Sequence, residues 1–169
     1  MSDSVTQYKA DAPQSLGCAV ITVSDSRTLQ TDTGGQSVVD ALTRAGHTLV
    51  ERQIIPDEPN RMRPLVVALA HRDDVHAILL TGGTGISQRD QTYETITGLL
   101  TKQLPGYGEL LRMLSYQDVG PAALLSRAVG GLLGTKVVLT MPGSTAAVRL
   151  VMEKIVLPEL PHLVREGRR

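Results

Sequence analysis

Segments with the pattern of buried strands alternate with amphipathic segments along this chain, and that alternation limits the possible folds more than any other feature. Residues 16–23, 76–80 and 137–141 are short apolar runs of strand length, and a further strand is predicted over 47–55. Apolar residues recur at helical spacing over 33–45, before a glycine. Strands and helices alternating in this way predict an α/β sandwich with a mostly parallel sheet and right-handed crossovers.

The remaining segments extend the same pattern. Helices are predicted over 62–72, 92–100, 107–115 and 146–156, the last continuing or restarting over 158–164; a short turn is predicted over 121–127 and a further strand over 129–133. With 169 residues the chain suits one domain, and we predict a flexible arm over 1–15 followed by a single domain over 16–169. The core must be aliphatic, because the chain has no Phe or Trp and only four Tyr.

Charge and cysteine content exclude several classes of partner. Lys and Arg total 17, and so do Asp and Glu, which gives no net field to attract nucleic acid or a membrane surface. No window reaches the about 20 apolar residues that a membrane span needs. Cys18 lies inside an apolar run, so we predict a buried thiol without an internal disulfide, which suits a reducing compartment. We therefore expect a cytoplasmic protein with small-molecule ligands.

Three predicted strands end in polar or glycine-bearing loops, at 24–28, 81–90 and 142–145. Sheets of this kind bind ligands beyond the carboxyl ends of their strands, so the three loops are expected to form one anion-lined cleft. In the run Thr81-Gly82-Gly83-Thr84-Gly85, three glycines let a ligand approach the main chain, and N–H groups at a helix start attract anions. The run lacks the lysine of a P-loop and the third glycine of a dinucleotide fingerprint. A simple tight turn is the alternative.

Two carboxylates near this loop predict a metal-assisted phosphate site. Asp57 and Asp90 would be electrostatically unfavourable beside phosphates unless a divalent cation lay between them. Mg²⁺ prefers one or two carboxylates together with phosphate oxygens and water. The structural alternatives are that Asp90 caps the next helix and that Asp57 is a turn residue. Asp25 and Asp32 are further carboxylates in the first loop.

Hydroxyl groups complete the predicted cleft. Ser144 is a natural N-cap whose helix also offers N–H groups to an anion, although a purely structural cap is the alternative. Ser24 and Ser26 could bind phosphate or only form a turn. The four histidines lack metal-ligand spacing, and the chain has no Gly-x-Ser-x-Gly elbow. The pattern therefore favours positioning of phosphates over a covalent nucleophile.

Six motifs then occur in a recognisable order over residues 16–163. They are Val-Ser-Asp at 23–25, Ile-Pro-Asp-Glu at 55–58, the glycine run with Arg89-Asp90, Leu-Pro-Gly-Tyr-Gly-Glu at 104–109, Leu-Ser-Arg-Ala at 125–128 and Met-Pro-Gly-Ser at 141–144. Together they resemble the MoaB/MogA family of molybdenum cofactor biosynthesis, and residues 120–131 look more like its MoaB branch.

The resemblance implies a three-layer α/β/α fold and an activity. ATP would be attacked at its α-phosphorus by the terminal phosphate of molybdopterin, with Mg²⁺, to give adenylyl-molybdopterin and pyrophosphate. It implies catalytic and metal-binding roles for Asp57 and Asp90, and a homotrimer or hexamer. Substrate or phosphate contacts are implied for Ser24, Asp25, Thr81, Gly82, Gly83, Thr84, Gly85, Ser126, Pro142, Gly143 and Ser144. The alternative is a catalytically silent molybdopterin-binding or carrier protein of the same pathway.

Overall fold

A six-stranded sheet forms the centre of the computed structural model, which describes Pro13 and residues 15–169. In chain order the strands are β1 Gly17–Val23, β2 Thr48–Ile55, β3 Ala77–Thr81, β4 Lys102–Gln103, β5 Gly130–Leu133 and β6 Lys136–Met141. Their spatial order is β2-β1-β3-β6-β5-β4. The first four in that order are parallel, and β5 runs antiparallel to both β6 and β4. The predicted mostly parallel sheet is confirmed; the predicted arm over 1–15 lies outside the described residues apart from Pro13 and Ser15.

Helices cover both faces of this sheet. They are α1 Thr33–Arg44, α2 Pro59–Ala70, α3 Thr92–Thr97, α4 Pro105–Val119, α5 Thr145–Val151 and α6 Leu157–Gly167, with a 3-10 helix at Gly120–Leu125 and a π-helix at Met152–Val156. Both α2 and α4 begin earlier than predicted, because Pro59 and Pro105 occupy the first turn, where proline's fixed φ favours a helix. Helix α3 stops at Thr97 rather than residue 100. The two-residue strand β4 was not predicted.

Two aliphatic clusters fill the spaces between the sheet and the helices on its two faces. Cys18 and Val20 of β1 pack with α1, α4, α5 and α6, whereas Ala19 and Ile21 pack with α2 and α3. Successive side chains of a strand point to opposite faces, so this division confirms the three-layer α/β/α sandwich. The Cys18 thiol is fully buried as predicted, and burial raises its pKa to about 12. Tyr107 is the aromatic exception in the core, and its hydroxyl donates to Thr140 O at 2.7 Å.

The strand order fixes where a ligand can bind. From β1 the chain moves outward to β2 and then crosses to the other side of β1 to form β3, so β1 and β3 flank a topological switch point. Strand β6 lies next to β3, which brings the carboxyl ends of β1, β3 and β6 side by side. Within the described residues, no helix is long and apolar enough to cross a membrane.

Candidate phosphate and metal site

The three loops predicted to meet do lie together at the carboxyl end of the sheet. Gly82 N donates to Met141 O at 3.0 Å, and Thr81 Oγ1 donates to Pro142 O at 2.9 Å. Gly82 has a φ of 101°, and a Cβ there would collide with Val23 O at the end of β1. Only glycine therefore permits this close approach. The result is a cleft of about 460 Å³ lined by Gly82, Gly83, Thr84, Gly85, Asp90, Leu125, Ser126, Pro142, Gly143 and Val23.

The carbonyl groups of the glycine loop accept hydrogen bonds from residues that follow it in the chain. Gly83 O accepts from Thr92 N at 3.1 Å, Thr84 O accepts from Arg127 N at 2.9 Å, and Gly85 O accepts from Arg127 Nε at 2.7 Å. By contrast, no acceptor among the described residues is found for the N–H groups of residues 83–86. Successive free N–H groups in a turn form an anion-binding concavity. The loop thus has the donors that phosphate oxygens require.

Asp57 is buried directly after β2, with 5% of its surface exposed. Its Oδ1 accepts from Gln91 N at 3.1 Å. Burial is the largest cause of a rise in the pKa of this carboxyl to about 6. The hydrogen bond from Gln91 and the charge of Arg89 lower the pKa, whereas the charges of Asp90 and Asp25 raise it. A carboxyl that is costly to ionise alone is a suitable ligand for a cation.

Asp90 ends the glycine loop and is half-buried. Its Oδ2 accepts from Ser87 N at 2.9 Å, which closes a turn within the loop. The residue that precedes α3 is Gln91, so the alternative prediction that Asp90 caps this helix is wrong. In the part of the chain that the structure describes, neither Asp57 nor Asp90 forms an ion pair.

The two carboxylates of the loop after β1, Asp25 and Asp32, are each paired with an arginine. Both Asp25 oxygens accept from Arg89, Oδ2 from Nε and Oδ1 from Nη2, each at 2.8 Å, and this hydrogen bonding lowers the pKa of Asp25. Asp25 Oδ1 also accepts from Asp57 N at 3.2 Å. Asp32 caps α1 and pairs with Arg52 at 3.1 Å. Contact of Asp25 with phosphate stays a prediction, while its observed contacts hold the main chain of Asp57.

Asp57 and Asp90 suit a divalent ion that takes the rest of its coordination shell from a bound ligand and water. Among the described residues no group of three or more His, Cys, Asp or Glu side chains could hold a metal ion. Asp57 and Asp90 are close enough for the charge of Asp90 to raise the pKa of Asp57, and neither forms an ion pair with a described residue. Mg²⁺ is commonly bound by one or two carboxylates plus phosphate oxygens and water. The donors present therefore fit Mg²⁺ carried by a polyphosphate.

The predicted serines differ in what they contact. Ser126 Oγ is buried without a hydrogen-bond partner among the described residues, where the cleft meets a mainly apolar pocket of about 220 Å³. Ser144 caps α5 by accepting from Ala147 N at 3.2 Å. Ser24 Oγ accepts from Ser26 N and Arg27 N, at 3.3 and 3.2 Å, which forms a turn. Ligand contacts of these serines stay predictions; of the three, Ser126 is the one whose hydroxyl has no hydrogen-bond partner among the described residues.

Two side chains of the site were missed by sequence reasoning. Arg127 contacts the glycine loop, and its signal was its place in the Leu-Ser-Arg motif. Thr92 lies under the loop with its Oγ1 buried and without a partner among the described residues. A Cβ on Gly83 would collide with this hydroxyl and with Asp57 Oδ2. No sequence pattern distinguished Thr92 from the other threonines.

Known proteins match both the sequence and the fold. A family model described as a probable molybdopterin binding domain matches residues 19–162. The chain is 48% identical over 167 residues to molybdenum cofactor biosynthesis protein B of Bacillus anthracis, covering 98% of this chain and 99% of that one. These matches and the sheet order define a molybdopterin-binding-domain protein.

Solved structures agree with this class. A crystal structure of molybdenum cofactor biosynthesis protein B superposes with a TM-score of 0.90 at 46% identity, covering 94% of this chain and 99% of that one. The tungsten cofactor synthesizing protein MoaB from Pyrococcus furiosus gives 0.83 at 33% identity, covering 94% and 100%. The chain belongs to the MoaB/MogA family and acts in molybdenum cofactor biosynthesis.

Proposed function

We propose that this protein transfers the adenylyl group of ATP to molybdopterin in a Mg²⁺-dependent reaction. One observation carries the proposal: Asp57 and Asp90, which form no ion pair with a described residue, flank a loop whose N–H groups at residues 83–86 have no acceptor within the described chain. Anion donors beside unneutralised carboxylates favour a ligand that brings both phosphate and a divalent cation. Membership of the family supports molybdopterin as the acceptor.

In this reaction the terminal phosphate oxygen of molybdopterin attacks the α-phosphorus of ATP. The new P–O bond forms as the bond from the α-phosphorus to the oxygen bridging the β-phosphate breaks, and pyrophosphate leaves with the electron pair. The glycine loop binds the phosphates, and Asp90 and Asp57 would hold Mg²⁺, which neutralises charge on the leaving group when bound. Asp25, held by Arg89, keeps the Asp57 main chain in place. Ser126, which lines the cleft and whose buried Oγ has no hydrogen-bond partner among the described residues, would contact the substrate.

The test is pyrophosphate release by the pure protein mixed with ATP, Mg²⁺ and molybdopterin. We expect turnover by the wild type and a loss of about 100-fold or more in Asp57→Asn and Asp90→Asn. Asp73→Asn is the matched control, because Asp73 is exposed and precedes β3, at the opposite end of that strand from the glycine loop. Calorimetry with molybdopterin alone distinguishes the carrier alternative. Tight pterin binding without pyrophosphate release would contradict the adenylyltransferase proposal.

A homo-oligomer, trimer or hexamer, is part of the same proposal. Helix α4 and the following 3-10 helix carry large exposed apolar side chains at Leu110, Met113, Tyr116, Val119, Leu124 and Leu125. An apolar face of this kind is typical of a protein interface. Native mass spectrometry measures the number of copies directly. A cytoplasmic location also stays a prediction, which fractionation of cells would test.

A further inference from the structure

Arg127 makes three hydrogen bonds to main-chain carbonyl groups of the glycine loop. Its N donates to Thr84 O at 2.9 Å, its Nε donates to Gly85 O at 2.7 Å, and its Nη2 donates to Asp90 O at 3.3 Å. The first two bonds hold the middle of the loop and the third holds its end at Asp90. A single residue thus connects both ends of the segment 84–90.

The guanidinium of Arg127 is itself fixed by α3. Its Nη1 pairs with Glu94, and its carbon lies 5.2 Å from the centre of the Tyr93 ring. Only 27% of the side chain is exposed. Three of its five guanidinium N–H donors are used by protein acceptors, and its charge is paired with Glu94. The observed contacts of Arg127 therefore act on a ligand through the loop.

Peptide geometry determines what these bonds do. In a planar trans peptide, the N–H of one residue points opposite to the C=O of the residue before it. Bonds from Arg127 to Thr84 O and Gly85 O therefore turn the N–H groups of Gly85 and Ile86 away from Arg127. These two N–H groups are among those without an acceptor in the described part of the chain.

We propose that Arg127 is a positioning residue that fixes the glycine loop in its anion-binding conformation and holds the Asp90 end of the loop in place. The expected effect of Arg127 on turnover rests on the proposed adenylyl transfer. Its expected effect on the loop conformation rests on the hydrogen bonds alone. Since Arg127 follows Ser126, it also holds the segment that carries Ser126 against the glycine loop.

The first measurement needs no turnover. Hydrogen exchange is followed at the loop amides that donate bonds, those of Ser87, Asp90, Gln91 and Thr92. In Arg127→Gln we expect exchange to become about 10-fold faster or more, because the loop opens locally. Both variants retain the main-chain bond to Thr84; Arg127→Lys also keeps one charged donor for the loop carbonyl groups and is expected to be intermediate. Arg61→Gln, on the exposed part of α2, is the matched control and should exchange like the wild type.

The second measurement is steady-state pyrophosphate release. A positioning role predicts that Arg127→Gln lowers kcat by about 10- to 100-fold, with KM for molybdopterin changed much less, and that Arg127→Lys recovers part of kcat. Unchanged exchange of the loop amides in Arg127→Gln would overturn the inference, whatever the activity. A wild type that releases no pyrophosphate would instead overturn only the proposed function, since the exchange result still decides the role of Arg127.

Discussion

The loops that follow β1 and β3 lie side by side, yet they use their polar groups in opposite ways. In the loop after β1, Ser24 Oγ accepts two N–H groups, Asp25 is paired with Arg89, and Asp32 caps α1. In the loop after β3, the N–H groups of residues 83–86 have no acceptor within the described chain, and Asp90 has no cationic partner there.

Similar residue types therefore have different roles in the two loops. Polar groups that are satisfied by their own chain stabilise a conformation, whereas unsatisfied groups at a cleft are available to a ligand. From this comparison we propose that the loop after β3 binds the ligand and that the loop after β1 supports it.

The largest effect is expected for Gly83→Ala. A Cβ at this position collides with Asp57 Oδ2 and Thr92 Oγ1, and the φ of 65° disfavours any side chain. We expect pyrophosphate release to fall about 100-fold or more because the loop is displaced. Urea unfolding should show a loss of about 2–4 kcal/mol, from overpacking and from the left-handed φ.

Gly134→Ala is the matched control for this substitution. Gly134 has a φ of 60°, but its added Cβ would meet no atom within 4 Å. It should lose about 1–2 kcal/mol of stability from the same backbone strain and keep its activity. Full activity in Gly83→Ala would mean that the close packing of the loop on Asp57 is not needed.

Asp90→Asn compared with Asp25→Asn tests the two loops directly. Asp90→Asn should lower kcat/KM by about 100-fold, because a bound Mg²⁺ would lose a charged ligand. Asp25→Asn should lower it by about 10-fold or less, since the amide oxygen still accepts from Asp57 N while the ion pair with Arg89 is lost. Pyrophosphate release at varied Mg²⁺ measures both. Equal losses in the two variants would remove the distinction between the loops.

Local pattern was sufficient to predict most of the fold. The apolar run before Val23 predicted β1, and the rule that ligands bind beyond strand ends predicted that the three loops converge. The starts of α2 and α4 were placed too late, because the periodic pattern begins after the prolines that open them. Strand β4 has only Lys102 and Gln103, which pair with β5 and carry no alternating pattern.

The partners within the site could not be predicted in this way. Arg89 binds Asp25 across 64 residues, and Arg127 binds Gly85 across 42. Such pairings depend on how the loops pack after folding, and no local spacing encodes them. The sequence therefore identified the carboxylates near the cleft but not which of them an arginine neutralises.

Asp57→Asn is expected to affect stability in a pH-dependent way. Burial raises the pKa of Asp57 from 3.8 to about 6, so the native state holds this proton more tightly than the unfolded chain. The contribution of this protonated carboxyl to the wild-type free energy of unfolding is present below about pH 4 and is lost as the pH rises through 6. The gain of Asp57→Asn over wild type should thus be near zero at pH 4 and about 1–3 kcal/mol at pH 7.5 without Mg²⁺.

Urea unfolding of both proteins at the two pH values measures this gain. The asparagine Oδ1 can still accept from Gln91 N, so the variant keeps that observed contact. The same difference in free energy at both pH values would show that ionisation of Asp57 is not its cause. A variant that is more stable but inactive would fit a carboxylate retained for ligand binding at a cost in stability.

The smallest effect is expected for Ser24→Ala. Ser24 Oγ accepts from Ser26 N and Arg27 N in an exposed turn, and water can replace it as the acceptor of both N–H groups. We expect a loss of about 0.5–1 kcal/mol on urea unfolding and a kcat/KM within about 3-fold of wild type. Pyrophosphate release and urea unfolding of the same preparation measure both quantities. A loss of activity above about 10-fold at unchanged stability would mean that Ser24 contacts the substrate, and the loop after β1 would then bind ligand as well as support it.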